Sequence, residues 1–194
     1  MAGSAAASPY GAVPIRHKNG SPYNGETNRY YIPSTDNVAV FVGDFVELAG
    51  GLDTTEQFAT VKQAAATNQL LGVVVSVEPD RNDLSKTHRV ASTNRYVNVA
   101  DDPDLIFKIQ EDGASGAMTA SEISLRQNGD IVVGTGSSVT GKSAMSITSV
   151  VGTGSAQLKV VGQYNDRNST AATLYQDLEV MIFEHALKTA DSQA

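Results

Sequence analysis

The stretch from Val38 to Pro79 constrains this chain most. It opens with Val38-Ala39-Val40-Phe41-Val42, breaks at Gly43-Asp44 and resumes as Phe45-Val46-Glu47-Leu48. A Gly-, Ala- and Thr-rich excursion follows. Then comes the most apolar run of the chain, Leu70-Leu71-Gly72-Val73-Val74-Val75-Ser76-Val77. β-Branched and aromatic side chains are stiff and suit a pleated, half-buried surface. Gly43-Asp44 supplies a turn between two such runs. The run from Val73 to Val77 has almost no polar position, which predicts a central strand covered on both faces. Pro79 ends it, because proline gives a ladder no donor.

Further short apolar segments follow at a spacing typical of β-proteins. Arg95-Tyr96-Val97-Asn98-Val99 alternates, with Val97 and Val99 on one face. Leu105-Ile106-Phe107-Lys108-Ile109-Gln110 reads as a half-exposed strand with Leu105, Phe107 and Ile109 inward. Strands are also predicted at Asp130–Val133, Ala144–Ile147, Gln157–Val161 and Asp177–Phe183. The best helix candidate is Thr119–Arg126, where Thr119 and Glu122 have capping-box spacing, Ile123 points inward and Asn128-Gly129 marks the end. The fold class expected is all-β: a small barrel or jelly-roll-like sandwich of about nine short strands, with an extended N-terminal arm. The expected divisions are an arm over 1–35, a β-rich body over 36–185 and a polar tail over 186–194.

The arm expectation rests on composition. Pro9 to Pro33 holds four of the seven tyrosines (Tyr10, Tyr23, Tyr30, Tyr31) and four of the six prolines. Prolines stiffen an extended chain and so lower the entropy lost on docking. Tyrosines carry apolar area with a polar tip, the composition of a contact surface. Tyr23, Arg29, Tyr30 and Tyr31, with Tyr10 behind them, are the candidate contact residues. The alternative is a segment folded back on its own core. Charge is divided in the same way. Up to Thr35 the chain holds three basic residues and one acidic, net +2, and the remainder holds 11 basic and 20 acidic, net −9. An acidic body argues against a nucleic-acid surface, which needs clustered Lys and Arg. A basic arm suits another acidic surface, such as a second copy.

At 194 residues, 41 % of them hydrophobic, the chain is long enough for one well-packed domain. It has no Cys, so disulfides, thiolate metal sites and cysteine nucleophiles are excluded. Small residues follow Met1 with neither a charged nor an apolar leader region, so no secretory signal is expected. No run approaches the roughly 20 apolar residues of a membrane span.

One motif points elsewhere. Gly136-Ser137-Ser138-Val139-Thr140-Gly141-Lys142-Ser143 matches the phosphate-loop pattern GxxxxGK[ST]. In a working loop the amides cradle phosphates, Lys142 reaches the terminal phosphates and a helix starts at the lysine. The residues that follow, Ala144 to Gly154, are β-branched and broken by glycine, which predicts a hairpin turn instead. His17, His88 and His185 lack metal-ligand spacing and read as surface or edge residues. Asp101, Asp102 and Asp104 suit either a calcium ion or an ordinary Asp-Pro turn. Asn168-Ser169-Thr170 is a glycosylation sequon. No metal, cofactor or catalytic pair is expected.

Several blocks resemble those of accessory head proteins of tailed bacteriophages, the capsid decoration or cement proteins. They are Gly20–Gly25, Asn28–Pro33, Phe41–Asp44, Leu71–Val75, Ala100–Asp104 and Asn128–Gly134. The resemblance implies a β-rich fold on the outside of an icosahedral capsid, bound to the major capsid protein. It also implies self-association as trimers or dimers, a virion location and no enzymatic activity; from the charge balance and the absence of a long apolar run, neither nucleic acid nor membrane is expected as partner. With the arm as clamp, deletion of residues up to Pro33 is expected to leave a folded body. Two rivals stand beside this reading. One is a head-surface carbohydrate- or host-binding β-module, which needs an exposed aromatic platform, whereas the body's aromatics mostly fall in strands that read as core. The other is a nucleotide-binding enzyme using Lys142.

Overall fold

The apolar runs of the chain line two separate cores that share one wall. The computed structural model describes residues 7–81, 83–164 and 173–188. The first six residues of the low-complexity start, the sequon at Asn168 and the end of the tail lie outside these residues. In chain order the strands are β1 (Val13–His17), β2 (Asn28–Ile32), β3 (Phe45–Leu52), β4 (Ala59–Gln63), β5 (Gly72–Val77), β6 (Arg95–Ala100) and β7 (Leu105–Gln110). After a short helix, α1 (Ala120–Ser124), come β8 (Asn128–Gly129), β9 (Ile131–Val132), β10 (Ser146–Ile147), β11 (Leu158–Gln163) and β12 (Asp177–Ile182).

Five strands close a barrel in the order β2-β4-β3-β5-β6. A five-stranded sheet in the order β1-β7-β12-β11-β8 packs beside it, and β9 and β10 form a small hairpin. The protein is therefore all-β, a small barrel joined to a sheet. Ile32, Val40, Val46, Val61, Leu71, Val74, Val97 and Val99 fill the barrel. Phe45, Val73 and Ala100 point the other way, onto Phe107, Ile109, Leu158, Val160, Leu178 and Val180 of the sheet. Alternation along β3 and β5 thus sends Phe45 and Val73 into one core and Val46 and Val74 into the other. The expectation that the Val73 run is covered on both faces holds here. Beyond it a bulge between Val74 and Ser76 changes the parity, so that Val77 returns to the barrel core while Ser76 is exposed.

Residues 9–33, expected as an extended arm, are part of this body, and the arm expectation is corrected. β1 runs antiparallel to β7 at the edge of the sheet, where Pro14 is tolerated because no outer neighbour needs its missing N–H. β2 pairs with β6 along its full length and with β4 through a single parallel pair, Tyr31 with Thr60. Gly11, at φ +79°, crosses directly against Gly43, where a Cβ would lie 2.4 Å from the Gly43 carbonyl oxygen. Ala12 N donates to that oxygen at 2.9 Å. A proline-stiffened extended segment loses little entropy on docking, whether onto its own sheets or onto a partner's.

Other local differences have identifiable causes. Val38–Val42 is not a strand, because its backbone is held by Arg89 and by bridges from Val40 to Arg89 and Val42 to Lys142. α1 carries the capping box at Thr119 and Glu122, as the spacing predicts, but ends at Leu125, with Arg126 at φ 53°. Asn128-Gly129 becomes a strand instead of a cap. β7 is covered on both faces and is not half-exposed.

Candidate functional site

Arg29 and Tyr31 stand two residues apart on β2, so both face outward from the barrel while Tyr30 between them packs against its core. The guanidinium of Arg29 is held by three acceptors. Nε and Nη2 donate to Glu78 at 2.6 and 3.0 Å, and Nη1 donates to Glu56. This grip lays the guanidinium 3.9 Å from the Tyr96 ring centre and 4.9 Å from that of Phe58. Tyr31 stacks at a tilt on Tyr96, with centroids 5.1 Å apart, and Phe58 meets Tyr96 edge-on at 5.8 Å. The Tyr96 hydroxyl donates to Asp53 Oδ2 at 2.7 Å. That hydrogen bond, the largest influence, pushes the Tyr96 pKa up to about 12, and it holds Asp53 below the usual carboxylate range. Hydrogen bonding to Glu78 likewise raises Arg29 above its ordinary value.

The cluster sits where the barrel is most weakly laced. β2 and β4 share one residue pair, and Arg29 spans the seam to Glu56 and Phe58 at the tip of the β3–β4 hairpin. Beside it opens a cleft of about 400 Å³ lined by Tyr31, Tyr96, Glu78, Asp80, Arg81 and Asn94 among others. Arg95 closes one side through Asp80, at 2.7 Å.

The structure separates the five candidate contact residues. It brings only Arg29 and Tyr31 together. Tyr30 is turned inward and donates to buried Asp101 at 2.5 Å, and burial, with this bond, raises its pKa. Tyr23 packs against the inter-sheet core and donates to the Glu26 carbonyl at 3.1 Å. Tyr10 lies on the far sheet, donating to Asp177 at 2.7 Å under the Lys108 ammonium. The reading of the body's aromatics as core also needs correction. Phe45 and Phe107 are core residues, but Phe58 and Tyr96 share the outward platform with Tyr31. The period-two pattern that placed Val97 and Val99 inward was the available signal for Tyr96. Nothing local pointed to Phe58, Glu56 or Glu78.

The phosphate-loop match is the connection between β9 and β10. Its amides are already engaged: Ser137 N donates to the Lys142 carbonyl at 2.9 Å, Gly141 N to the Ser137 carbonyl at 2.8 Å and Ser143 N to the Val42 carbonyl at 2.8 Å. A strand, not a helix, follows the lysine. His88 and His185, expected at the surface or an edge, are 8 % and 2 % exposed, His88 stacked on Phe41 and His185 bridged to Leu70. His17 is partly buried and lies 3.1 Å from Asp102. Asp101 accepts from Asn28 and Tyr30, whereas Asp102 accepts from the Asp104 amide at 2.8 Å. Among the described residues no group of three or more His, Cys, Asp or Glu is placed to hold a metal ion, and no helix is long and apolar enough to cross a membrane.

No protein-family model, curated protein or solved structure matches this chain.

Proposed function

We propose that this chain is a structural virion protein of a tailed bacteriophage. It binds the outer surface of the icosahedral capsid, bridges neighbouring copies of the major capsid protein and works as a homo-oligomer. The resemblance of the sequence blocks supports this reading, and one structural observation carries it. The apolar stripe of β3 overruns the core it belongs to. Val46 is fully buried in the barrel, but Leu48, two residues on, is 45 % exposed and Leu52 is 60 % exposed. A bulge between Leu48 and Leu52, with Gly50 at φ +75°, bends this part of the hairpin. Exposed apolar side chains continuing a core stripe suit burial against another body. The projecting hairpin takes the clamp role expected of the arm.

The chemistry is that of binding. A protein that recognises several capsid subunits only in their assembled arrangement stabilises that arrangement by mass action. Individually weak contacts suffice when an oligomer presents several of them at high effective concentration. Sedimentation with mature capsid shells tests the proposal. Wild type is expected to saturate at a fixed copy number per shell. The doubly substituted Leu48→Ser, Leu52→Ser protein is expected to stay folded and bind more weakly. A folded wild type that leaves mature shells bare would overturn the reading.

A further inference from the structure

The cleft beside Arg29 has a lining that neither a scaffold nor a capsid contact requires. Its floor is the half-buried Tyr31 ring, backed by Tyr96. Around it stand three carboxylates, Glu56, Glu78 and Asp80, and three guanidinium groups, Arg29, Arg81 and Arg95. The charges cancel, so the site as a whole favours neither an anion nor a cation. The carboxylates are fixed in place: Glu56 and Glu78 are held by Arg29 and Asp80 by Arg95. Glu56 and Glu78 keep acceptor lone pairs beyond those facing Arg29. Asn94 is anchored by its Oδ1, which accepts from Ser34 N at 2.8 Å, leaving its amide NH₂ for a ligand. Arg81 is exposed and forms no ion pair with a described residue.

A ligand matching this lining has an apolar face for the tyrosine and a rim of hydroxyls that both donate and accept, and it carries no net charge. We propose that the cleft between Tyr31 and the 78–81 turn is a saccharide-binding site, taking an uncharged hexose ring on the Tyr31 face. Glu56, Glu78, Asn94 and Arg81 would read its hydroxyls. A volume of about 400 Å³ lies within the range of small-molecule sites. Fixed carboxylates and a backed aromatic ring lose little freedom on binding, so affinity is not spent on ordering the protein. Arg29 is a positioning residue here, because its guanidinium is engaged by Glu56, Glu78 and the Tyr96 ring.

The test is an array of immobilised mono- and oligosaccharides, uncharged, sulphated and sialylated, probed with the full chain and followed by titration of the best-retained uncharged sugar. Wild type is expected to bind at least one uncharged sugar saturably. Tyr31→Ala should weaken that binding by about tenfold or more, a loss of about 1.4 kcal/mol. Arg81→Ala, at an exposed position that does not threaten folding, should weaken it several-fold. Retention of no uncharged sugar, preference for sulphated or sialylated members, or unchanged binding by the Arg81→Ala and Tyr31→Ala proteins would each overturn the site. The capsid reading stands or falls separately: Tyr31→Ala should still sediment with shells, and the Leu48→Ser, Leu52→Ser protein should still bind sugar.

Discussion

The guanidinium carbon of Arg29 lies 3.9 Å from the centre of the Tyr96 ring, tying β2 to β6 beside the barrel's sparsest seam, the single residue pair between β2 and β4. A lysine would keep the charge but not the planar fork that grips Glu78 twice while covering an aromatic face. Arg29→Lys is therefore expected to lower Tm by a few degrees and Arg29→Ala by more, with the hairpin tip around Glu56 losing hydrogen-exchange protection first. Equal melting of wild type and both variants would show that the seam does not depend on this residue.

Arg89 is fully buried and uses all its donor positions: Nε to the Thr93 carbonyl, Nη1 to Asp36 and the Val38 carbonyl, Nη2 to the Pro33 and Asp36 carbonyls. It substitutes for a ladder in the segment preceding Gly43. Arg89→Lys cannot reach this set of acceptors and strands several carbonyls. Chemical denaturation should show a loss of about 3 kcal/mol or more. A loss near zero would mean that the 33–42 segment contributes little to the fold.

Deletion of residues 1–33 separates the two views of the N-terminal region. An arm could be removed without harm, but these residues supply one barrel strand and the edge of the second sheet. The truncated chain is expected to lose its cooperative melting transition and to expose the Val97 and Phe107 cores to a hydrophobic dye. A truncated chain that melts cooperatively near the wild-type Tm would restore the arm.

Acid should weaken the fold through His185. Burial, the main cause, and Lys188 hold its pKa at about 4 against an ordinary 6.5, with Asp101 and Asp102 pulling in the opposite direction. The unfolded chain then binds the extra proton, so the stability from a neutral His185 is complete above pH 6.5 and is lost as pH falls toward 4. Asp44 and Glu111 are held above their ordinary values by burial and act in the reverse sense, favouring the fold as pH falls. A His185→Gln variant isolates the histidine. Wild-type Tm should fall more steeply than the variant's between pH 7 and pH 5, and parallel slopes would count against a neutral buried histidine.

The β-character, the Val73 strand and the Thr119 capping box were legible because each is local: alternation, an unbroken apolar run and a three-residue spacing. β1 and β4 were not. β1 carries Pro14, which reads as a break until an edge position makes it harmless, and β4 is a short Thr-Val-Lys segment whose strand state depends on β3. The Arg29 cluster was half legible. Arg29 and Tyr31 drew notice by composition, whereas Glu56, Phe58, Glu78 and Tyr96 meet them only through barrel closure, which no sequence spacing encodes. The aromatic residues near the N-terminus signalled packing correctly, but packing onto this chain's own strands.

The wall that β3 and β5 form between barrel and sheet bears on how such a protein can be cut and recombined. Phe45 and Val46, adjacent in the chain, belong to different interiors, and so do Val73 and Val74. Neither half owns its boundary, so neither can be lifted out as a module. Calorimetry should register a single unfolding unit in place of two, and a graft of the barrel alone would leave Phe45, Val73 and Ala100 facing water.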